Sequence, residues 1–399
     1  MTAESQISIV SQDLRRRFAT WLSLFYGTTF GLSGTYLPFF PVWLKAVGID
    51  PSWIGAIAAA PAVTRFTVLP FITGLAERRQ AVRGAMVLTA FATAAGFTVV
   101  GTQHRPLFVF LCFAATACVW TPMVPLTDAY ALRGVRSYGL NYGPLRLWGS
   151  VAFILGALAC GVLVDVIAAR HLIWIVAGMA GIGALMGLGL QPLAPSRGVV
   201  PEVQRSGALL RDPAFLAIIV ASALIQGSHA AYYGFGSITW QAAGFSGLTI
   251  AALWGIGVIA EIVVFALSPR FTLSPAMMVV IGAVAGVVRW TLTAQEPSLA
   301  LLACLQILHC LTFGLTQLGV MSLLVHHVPG HVMARGQGYL AACSGMVYTG
   351  ASVLSGMIYA RYGQGVYYLM AMMALSGGVV IWLARERFSH HPQRDASGG

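Results

Sequence analysis

The sequence predicts an all-helical integral membrane protein whose chain crosses the bilayer twelve times. Three observations support this prediction: the residue composition, a series of long apolar segments, and the uneven placement of basic residues between those segments. Hydrophobic residues make up 58% of the 399 residues and charged residues only 9%, whereas a soluble domain carries about 25% charged residues. The chain has too little polar surface to coat a water-soluble globule, so lipid is expected to be its main solvent.

Twelve segments are long and apolar enough to span a membrane, which requires about 20 predominantly apolar residues. They lie at residues 19–44, 51–73, 82–102, 106–132, 140–165, 170–190, 213–241, 247–269, 275–295, 298–326, 334–360 and 365–384. The longest polar stretch between them, which contains Pro192, Pro195 and Pro201, is predicted to be a linker. We therefore expect a cytoplasmic N-terminal segment at 1–18, a six-helix bundle at 19–190, the linker at 191–212, a second six-helix bundle at 213–385 and a cytoplasmic tail at 386–399.

The basic residues between these segments and at their ends predict the orientation in the membrane. With the N-terminus inside, sixteen of them lie on the inner side, namely Arg15, Arg16, Arg17, Arg78, Arg79, Arg83, Arg133, Arg136, Arg197, Arg205, Arg211, Arg270, Arg335, Arg385, Arg387 and Arg394. Four lie on the outer side, namely Lys45, Arg105, Arg170 and Arg361. This is the positive-inside bias, so both termini are expected in the cytoplasm. The net charge of +11 then reflects topology, and no basic soluble patch favours nucleic-acid binding.

The two halves of the chain are related by weak internal repeats. Aligning Gly143 with Gly338 also aligns Leu145 with Leu340, and a second offset aligns Ile54 with Ile256. Parallel six-helix repeats of this kind are typical of membrane transporters. The apolar run that begins at Trp21 is too long for a signal-peptide core and is predicted to be a retained first span.

Two charged residues within the spans break this internal symmetry. Arg146 falls opposite Ala341, and Glu261 falls opposite Ala59. A charge within a span costs about 2.5–3.5 kcal/mol on insertion scales, so it is expected to be paired or to line a wet cavity. Arg146 is a candidate to bind a carboxylate in a bidentate fork, or alternatively to pair with Asp128 in a gate. Glu261 is a candidate to load and release a proton, or alternatively a structural acid.

Polar residues in two further spans extend the candidate site. Gln226, His229 and Tyr233 are spaced so that they share one face of a helix. His309 follows Gln306 by three residues in span ten, as His229 follows Gln226 in span seven. We expect these side chains to line a substrate cavity, the alternative being hydrogen-bonded packing.

Asp128 and Arg289 are assigned different expected roles. Asp128 lies near the inner end of span four and is expected to form an inner gate with Arg78, Arg83 or Arg146. Arg289 lies in span nine, where it is expected to be structural or to extend toward the membrane surface.

The sequence does not indicate an enzyme or a cofactor site. It contains no HExxH motif and no nucleophile–base pair. The six cysteines all lie in apolar runs, which indicates packing rather than disulfides or metal binding. His326, His327 and His331 lie near one another without an accompanying carboxylate or cysteine, so no metal and no cofactor are expected.

Several longer motifs resemble one known family. They are Leu37-Pro-Phe-Phe-Pro-Val-Trp-Leu-Lys45, Pro125-Leu-Thr-Asp128, Arg146-Leu-Trp-Gly-Ser-Val-Ala-Phe153, His229-Ala-Ala-Tyr-Tyr-Gly-Phe235, Trp240-Gln-Ala-Ala-Gly244 and Gln306-Ile-Leu-His-Cys310. On these motifs the chain resembles major facilitator superfamily transporters, and within them the 3-phenylpropionate transporter family. The Arg-Leu-Trp-Gly segment is also similar to that of nucleoside–proton symporters, which implies that Arg146, Glu261, Gln226 and His229 face the substrate.

The resemblance implies a function and a set of partners. It implies a proton-coupled symporter with alternating access that imports a small aromatic monocarboxylate such as 3-phenylpropionate across a bacterial inner membrane. The expected partners are the organic anion, protons and the lipid bilayer, and the protein is expected to act as a monomer. The alternatives are a nucleoside–proton symporter and, in a different class, a membrane receptor or sensor that does not transport.

One motif departs from the pattern of the superfamily. The segment after span two reads Thr73-Gly-Leu-Ala-Glu-Arg-Arg79, with Glu77 where the resemblance implies an aspartate. The resemblance implies a gating role for Glu77 and Arg78, in a weakened form of the superfamily's gate.

Overall fold

A computed structural model describes residues 3–193, 209–329 and 332–389, and the described residues form helices without any strand. The α-helices are α1 (Ala3–Ala46), α2 (Pro51–Thr67), α3 (Leu69–Arg78), α4 (Val82–Gly101), α5 (Pro106–Trp120), α6 (Met123–Tyr138), α7 (Tyr142–Val164), α8 (Leu172–Leu188), α9 (Pro213–Gly227), α10 (Ala230–Ala242), α11 (Gly247–Leu267), α12 (Pro275–Thr293), α13 (Leu299–Ile307), α14 (Thr316–His327), α15 (Met333–Tyr362) and α16 (Val366–Ser389). A π-helix, Cys310–Leu315, connects α13 to α14. Most of the predicted linker (194–208) and most of the predicted tail (390–399) lie outside the described residues.

These helices form twelve successive passages that match the twelve predicted segments. Nine helical stretches of the described chain are long and apolar enough to cross a membrane, and the bent pair α2–α3 makes a tenth. One of the nine, Arg335–Phe388, contains two passages, in α15 and α16. The remaining passage is α1, whose hydropathy is lowered by Thr28, Thr29, Ser33 and Thr35 along its apolar part.

Four of the passages are interrupted, which the apolar pattern did not predict. The α2–α3 pair bends by 41° where Pro70 occupies the first turn of α3 and contributes no N–H. The α5–α6 passage breaks at Pro122 for the same reason. Between α9 and α10, the Ser228 hydroxyl donates to the Ile225 carbonyl at 2.6 Å and competes with the helical ladder. The fourth interruption is the π-helix.

The described residues group into two compact units. The first unit contains the described residues within Met1–Pro201, Tyr232–Gly255 and Ser352–Ala360. The second unit contains the described residues within Glu202–Ala231, Ile256–Ala351 and Arg361–Gly399. The core of the first unit includes the buried side chains Phe18, Leu22, Phe25, Tyr26 and Tyr130. The core of the second includes Phe215, Ile218, Val279, Val320 and Ile381.

Glycines bring α1 and α7 of the first unit into close contact. A Cβ atom on Gly34 would clash with the backbone of Phe153, and one on Gly156 would lie 2.7 Å from the carbonyl oxygen of Gly31. Small residues permit this close approach of two backbones in lipid. The approach fixes the α7 face that carries Arg146 against α1.

Candidate functional site

Asp128 in the first unit is held by two tyrosine hydroxyls. Its Oδ1 atom accepts a hydrogen bond from the hydroxyl of Tyr26 at 2.6 Å and another from that of Tyr142 at 2.9 Å. Tyr26 is fully buried in α1, whereas Tyr142 begins α7 and is half-buried. The arrangement joins three helices of this unit around one carboxylate.

Arg146 lies one helical turn after Tyr142 on α7. The Cζ atom of its guanidinium lies 3.9 Å from the ring centroid of Phe30 and 5.6 Å from that of Tyr26. A Cβ atom on Gly149 would lie 2.9 Å from the Arg146 Nη1 atom and 2.8 Å from the Phe30 ring, so the glycine leaves room for the stacked pair. Stacking on an aromatic ring covers the flat face of a guanidinium. Its edge, which carries the N–H donors, stays available to bind a ligand.

The expected pairing of Asp128 with Arg78, Arg83 or Arg146 was wrong. Among the described residues no basic side chain lies within ion-pair distance of Asp128, whose hydrogen-bond partners are the two phenols. Arg83 instead donates to the carbonyl oxygens of Leu190 and Leu188 at 2.5 and 3.2 Å, at the C-terminal end of α8 and just after it. Free carbonyls at a helix end attract cations, which explains this alternative placement.

Glu77 and Arg78 lie exposed in the last turn of α3. Their side chains form no hydrogen bond or ion pair with any residue that the structure describes. Their gating role stays a prediction.

Arg289 is the centre of a buried polar cluster in the second unit. It is 0% exposed, and its guanidinium donates to three side chains. The Nη1 atom lies 3.0 Å from the Nδ1 atom of His309 and 3.2 Å from the Oγ1 atom of Thr312, and the Nη2 atom lies 3.0 Å from the Oε1 atom of Gln306. Its Cζ atom also lies 4.5 Å from the ring centroid of Trp290. The sequence-based expectation that Arg289 extends toward the membrane surface was wrong, and its alternative, a structural role, fits these contacts.

His229 joins this cluster from the break between α9 and α10. Its Nε2 atom lies 3.0 Å from the Thr312 Oγ1 atom, and its Nδ1 atom lies 3.2 Å from the carbonyl oxygen of Gln226. The ring centroids of His229 and His309 are 5.5 Å apart. The Nε2 atom of Gln226 donates to the carbonyl oxygen of Phe313 at 3.4 Å, while its buried Oε1 atom accepts no hydrogen bond from a described residue.

Glu261 in α11 approaches the cluster from its more exposed side. Its Oε2 atom lies 3.8 Å from the His309 Nε2 atom, and the two side chains are 21% and 9% exposed. One turn earlier, a Cβ atom on Gly257 would lie 3.5 Å from the His309 ring. A Cβ atom on Gly314, in the π-helix, would lie 3.4 Å from the Glu261 Cγ atom. The two glycines therefore border the acid and the histidine at van der Waals distance.

The π-helix between α13 and α14 contributes side chains that bond to neighbouring helices. It follows His309 directly and contains Thr312, which bonds both Arg289 and His229. Single-turn π-helices occur frequently at functional sites. The three-residue spacing of Gln306 and His309 indicated their common face, and both do contact Arg289.

Tyr233, which the spacing predicted to share a helix face with Gln226 and His229, follows the break between α9 and α10. It belongs to the first unit, where its ring stacks on Trp254 at 5.9 Å and contacts Tyr232 at 5.4 Å. The helix break at His229 changes the register on which the prediction depended.

Neither cluster has the composition of a metal site. Within the described residues no three His, Cys, Asp or Glu side chains lie close enough to share a metal ion. His326 and His327 contact the carbonyl oxygens of Ser322 and Leu323 through their Nδ1 atoms, and His331 lies outside the described residues. The chemistry that the two clusters offer is hydrogen bonding, anion binding and proton exchange.

The comparison with known proteins identifies the class to which this architecture belongs. The chain matches the MFS_1 like family over residues 19–370. It therefore belongs to this family of major facilitator transporters, and its fold is the predicted one of twelve transmembrane helices in two pseudo-symmetric six-helix bundles.

Its individual relatives are membrane transporters. The chain is 36% identical over 368 residues to the probable 3-phenylpropionic acid transporter of Escherichia coli (strain K12), covering 89% of this chain and 95% of the relative. It is 27% identical over 375 residues to the maltose permease of Geobacillus stearothermophilus, covering 91% and 93%. Among solved structures, the nucleoside transporter NupG superposes with a TM-score of 0.77 over 94% of this chain and 100% of that one. At 17% identity the likeness to NupG shows the fold alone.

Proposed function

We propose that this chain is a proton-coupled symporter that imports a small aromatic monocarboxylate, such as 3-phenylpropionate, by alternating access. It acts as a carrier rather than an enzyme, in a bacterial inner membrane, with both termini in the cytoplasm. The proposal is supported by membership of a transporter family and by the identity to a probable 3-phenylpropionic acid transporter.

The contacts of Arg146 support an aromatic carboxylate as the substrate. The guanidinium is stacked on Phe30, and no described residue accepts a hydrogen bond from it. A carboxylate requires N–H donors of this kind, and an arginine presents them in a bidentate fork. The phenyl part of the substrate then contacts the half-buried Phe30.

The pair formed by Glu261 and His309 supports the proton coupling. Glu261 is partly exposed and lies beside the buried histidine. An ionisable carboxyl within a span is a common element of proton relays. We propose that Glu261 takes up the coupling proton and releases it to the cytoplasm.

Further polar side chains are proposed as substrate contacts. Gln226 supports this role with its unpartnered Oε1 atom. The other proposed contacts are His229, Tyr233, Gln306 and His309, while Asp128, Glu77 and Arg78 are proposed to act in gating.

Uptake into proteoliposomes tests the proposal. Labelled 3-phenylpropionate is added outside vesicles whose lumen is more alkaline than the medium, and the counts are compared with those of protein-free liposomes, because the uncharged acid also crosses lipid. We expect saturable uptake that needs the protein and the pH gradient. A Glu261→Gln variant, which keeps the size of the side chain but cannot ionise, is expected to lose the response to the gradient.

Two outcomes would contradict parts of the proposal. Full gradient-driven uptake by the Glu261→Gln variant would remove Glu261 from the coupling. Competition by uridine, without competition by unlabelled 3-phenylpropionate, would favour a nucleoside–proton symporter instead.

A further inference from the structure

We infer that Arg289 is a positioning residue that fixes the proton of His309 on the Nε2 atom, directed at Glu261. This inference rests on the proposed proton-coupled function and adds a residue to it. It follows from the hydrogen-bonding capacities of the side chains in the buried cluster of the second unit.

The arginine determines the tautomer of His309. A guanidinium has five N–H donors and no acceptor. The 3.0 Å contact between the Arg289 Nη1 atom and the His309 Nδ1 atom is therefore a hydrogen bond only if Nδ1 presents its lone pair. A neutral imidazole carries one proton, so the proton of His309 lies on Nε2. This assignment comes from the hydrogen-bond network and is independent of the position of any hydrogen atom.

The protonated nitrogen is the one that faces the acid. The His309 Nε2 atom lies 3.8 Å from the Glu261 Oε2 atom, within ion-pair range and longer than an N–H···O hydrogen bond. His309 thus presents a donor to the Glu261 carboxylate. While Arg289 stays bonded to Nδ1, the ring has no site for a second proton, and the transported proton is confined to Glu261.

His229 has the opposite tautomer, with its proton on the Nδ1 atom. Its Nδ1 atom faces the carbonyl oxygen of Gln226, which can only accept, so this nitrogen is the donor. Its Nε2 atom then accepts from the hydroxyl of Thr312 at 3.0 Å. The Thr312 oxygen in turn accepts from Arg289 at 3.2 Å. The Gln226 carbonyl therefore sets the tautomer of His229, and Arg289 sets that of His309, while the Thr312 hydroxyl, which also faces the carbonyl oxygen of His309 at 3.3 Å, lies between the two.

The guanidinium is itself fixed from several directions. Gln306 accepts from its Nη2 atom, and the Trp290 ring covers its face. The titratable groups around His309 are Arg289 from α12, Glu261 from α11, His229 from the α9–α10 break and the adjacent Cys310. A lysine at position 289 would keep the charge but would lack the rigid fork that reaches both acceptors.

Nitrogen NMR of the histidine rings tests the tautomers directly. The full chain is labelled with ¹⁵N-histidine and purified in detergent, and the two signals are assigned from His229→Gln and His309→Gln variants. In the wild-type protein at neutral pH we expect His309 to be protonated on Nε2 only and His229 on Nδ1 only. In Arg289→Lys and Arg289→Gln variants we expect His309 to become a mixture of tautomers, whereas Arg65→Gln, at an exposed arginine of α2, is expected to leave both signals unchanged.

A transport measurement adds a second readout. Gradient-driven uptake by Arg289→Lys is expected to fall about tenfold, the factor that corresponds to loss of one charge-assisted hydrogen bond. Exchange of labelled for unlabelled substrate at equal pH is expected to fall less, because exchange needs no net release of a proton.

The outcomes separate this inference from the proposed function. A wild-type His309 protonated on Nδ1, or on both nitrogens at neutral pH, would overturn the inference even if no Arg289 variant folds. An unchanged His309 signal in a folded Arg289 variant would overturn it as well. The expected tautomers in a protein that does not transport the aromatic acid would leave the positioning role intact and contradict the proposed function.

Discussion

The two arginines Arg146 and Arg289 lie within membrane spans in opposite surroundings. Arg289 is fully buried and donates to three protein side chains, through three of its five N–H groups. Arg146 is half-buried and stacked on Phe30, and its guanidinium forms no hydrogen bond with a described residue. Unmet donors on a charged group are costly in lipid, which supports the proposal of ligand binding for Arg146 and of positioning for Arg289.

Substitution of Arg146 by lysine tests its assignment. The ammonium cannot form the bidentate fork or stack its plane on Phe30. We expect the KM for 3-phenylpropionate to rise roughly tenfold to a hundredfold, which corresponds to about 1.5–3 kcal/mol for a hydrogen bond to a charged group. The measurement is initial uptake against substrate concentration in proteoliposomes.

The matched control for this substitution is Arg65→Lys. Arg65 lies exposed in the last turn of α2, so the same chemical change is expected to leave KM unaltered. An equal loss for the carboxylate and for its uncharged amide analogue in Arg146→Lys would show that the arginine does not select an anion.

Among the elements, the helices were predictable and their interruptions were not. The apolar runs predicted the passages because a span of about 20 residues has a strong compositional signal. The π-helix at Cys310–Leu315 and the break at His229 have no such signal, since they depend on contacts with neighbouring helices. For Arg289 the sequence left a structural role and an outward extension both open, because an apolar helix does not reveal which face packs inward.

The contact between α1 and α7 yields a prediction at the scale of the element. A Gly34→Ala substitution introduces a Cβ atom into the backbone of Phe153, so the two helices are expected to separate at a cost of about 1–3 kcal/mol for overpacking. The melting temperature of the detergent-purified protein is expected to fall. Transport is expected to weaken as well, because Arg146 lies on the displaced face of α7.

Gly178→Ala is the control for this helix contact. Gly178 lies in α8, and nothing comes within 4 Å of a Cβ atom built on it. Alanine also has the higher helix propensity, so this variant is expected to melt at or slightly above the wild-type temperature. Equal melting of Gly34→Ala and the wild type would show that the helices tolerate a wider separation.

At the scale of the whole molecule, the apolar segments predicted the number of passages, and the longer motifs carried the family resemblance. The described helices and the family match confirm the fold. The candidate site was predicted in part: the acid, the arginine of α7 and the two histidines were identified as polar exceptions in apolar helices. Asp128 was assigned to an arginine rather than to Tyr26 and Tyr142, because tyrosines in apolar helices are indistinguishable from packing residues by sequence.

The orientation of the molecule in its membrane is predicted from charge alone and can be measured. Twelve passages return the chain to its starting side, and the basic residues favour the cytoplasm for that side. A fluorescent protein that folds only in the cytoplasm, fused in turn to each terminus, is therefore expected to fluoresce. Alkaline phosphatase, which is active only outside the cytoplasm, is expected to be inactive at both termini and active when inserted after Gln103, between α4 and α5. Active phosphatase at one terminus alone would require an odd number of passages, and at both termini it would place the whole molecule in the opposite orientation.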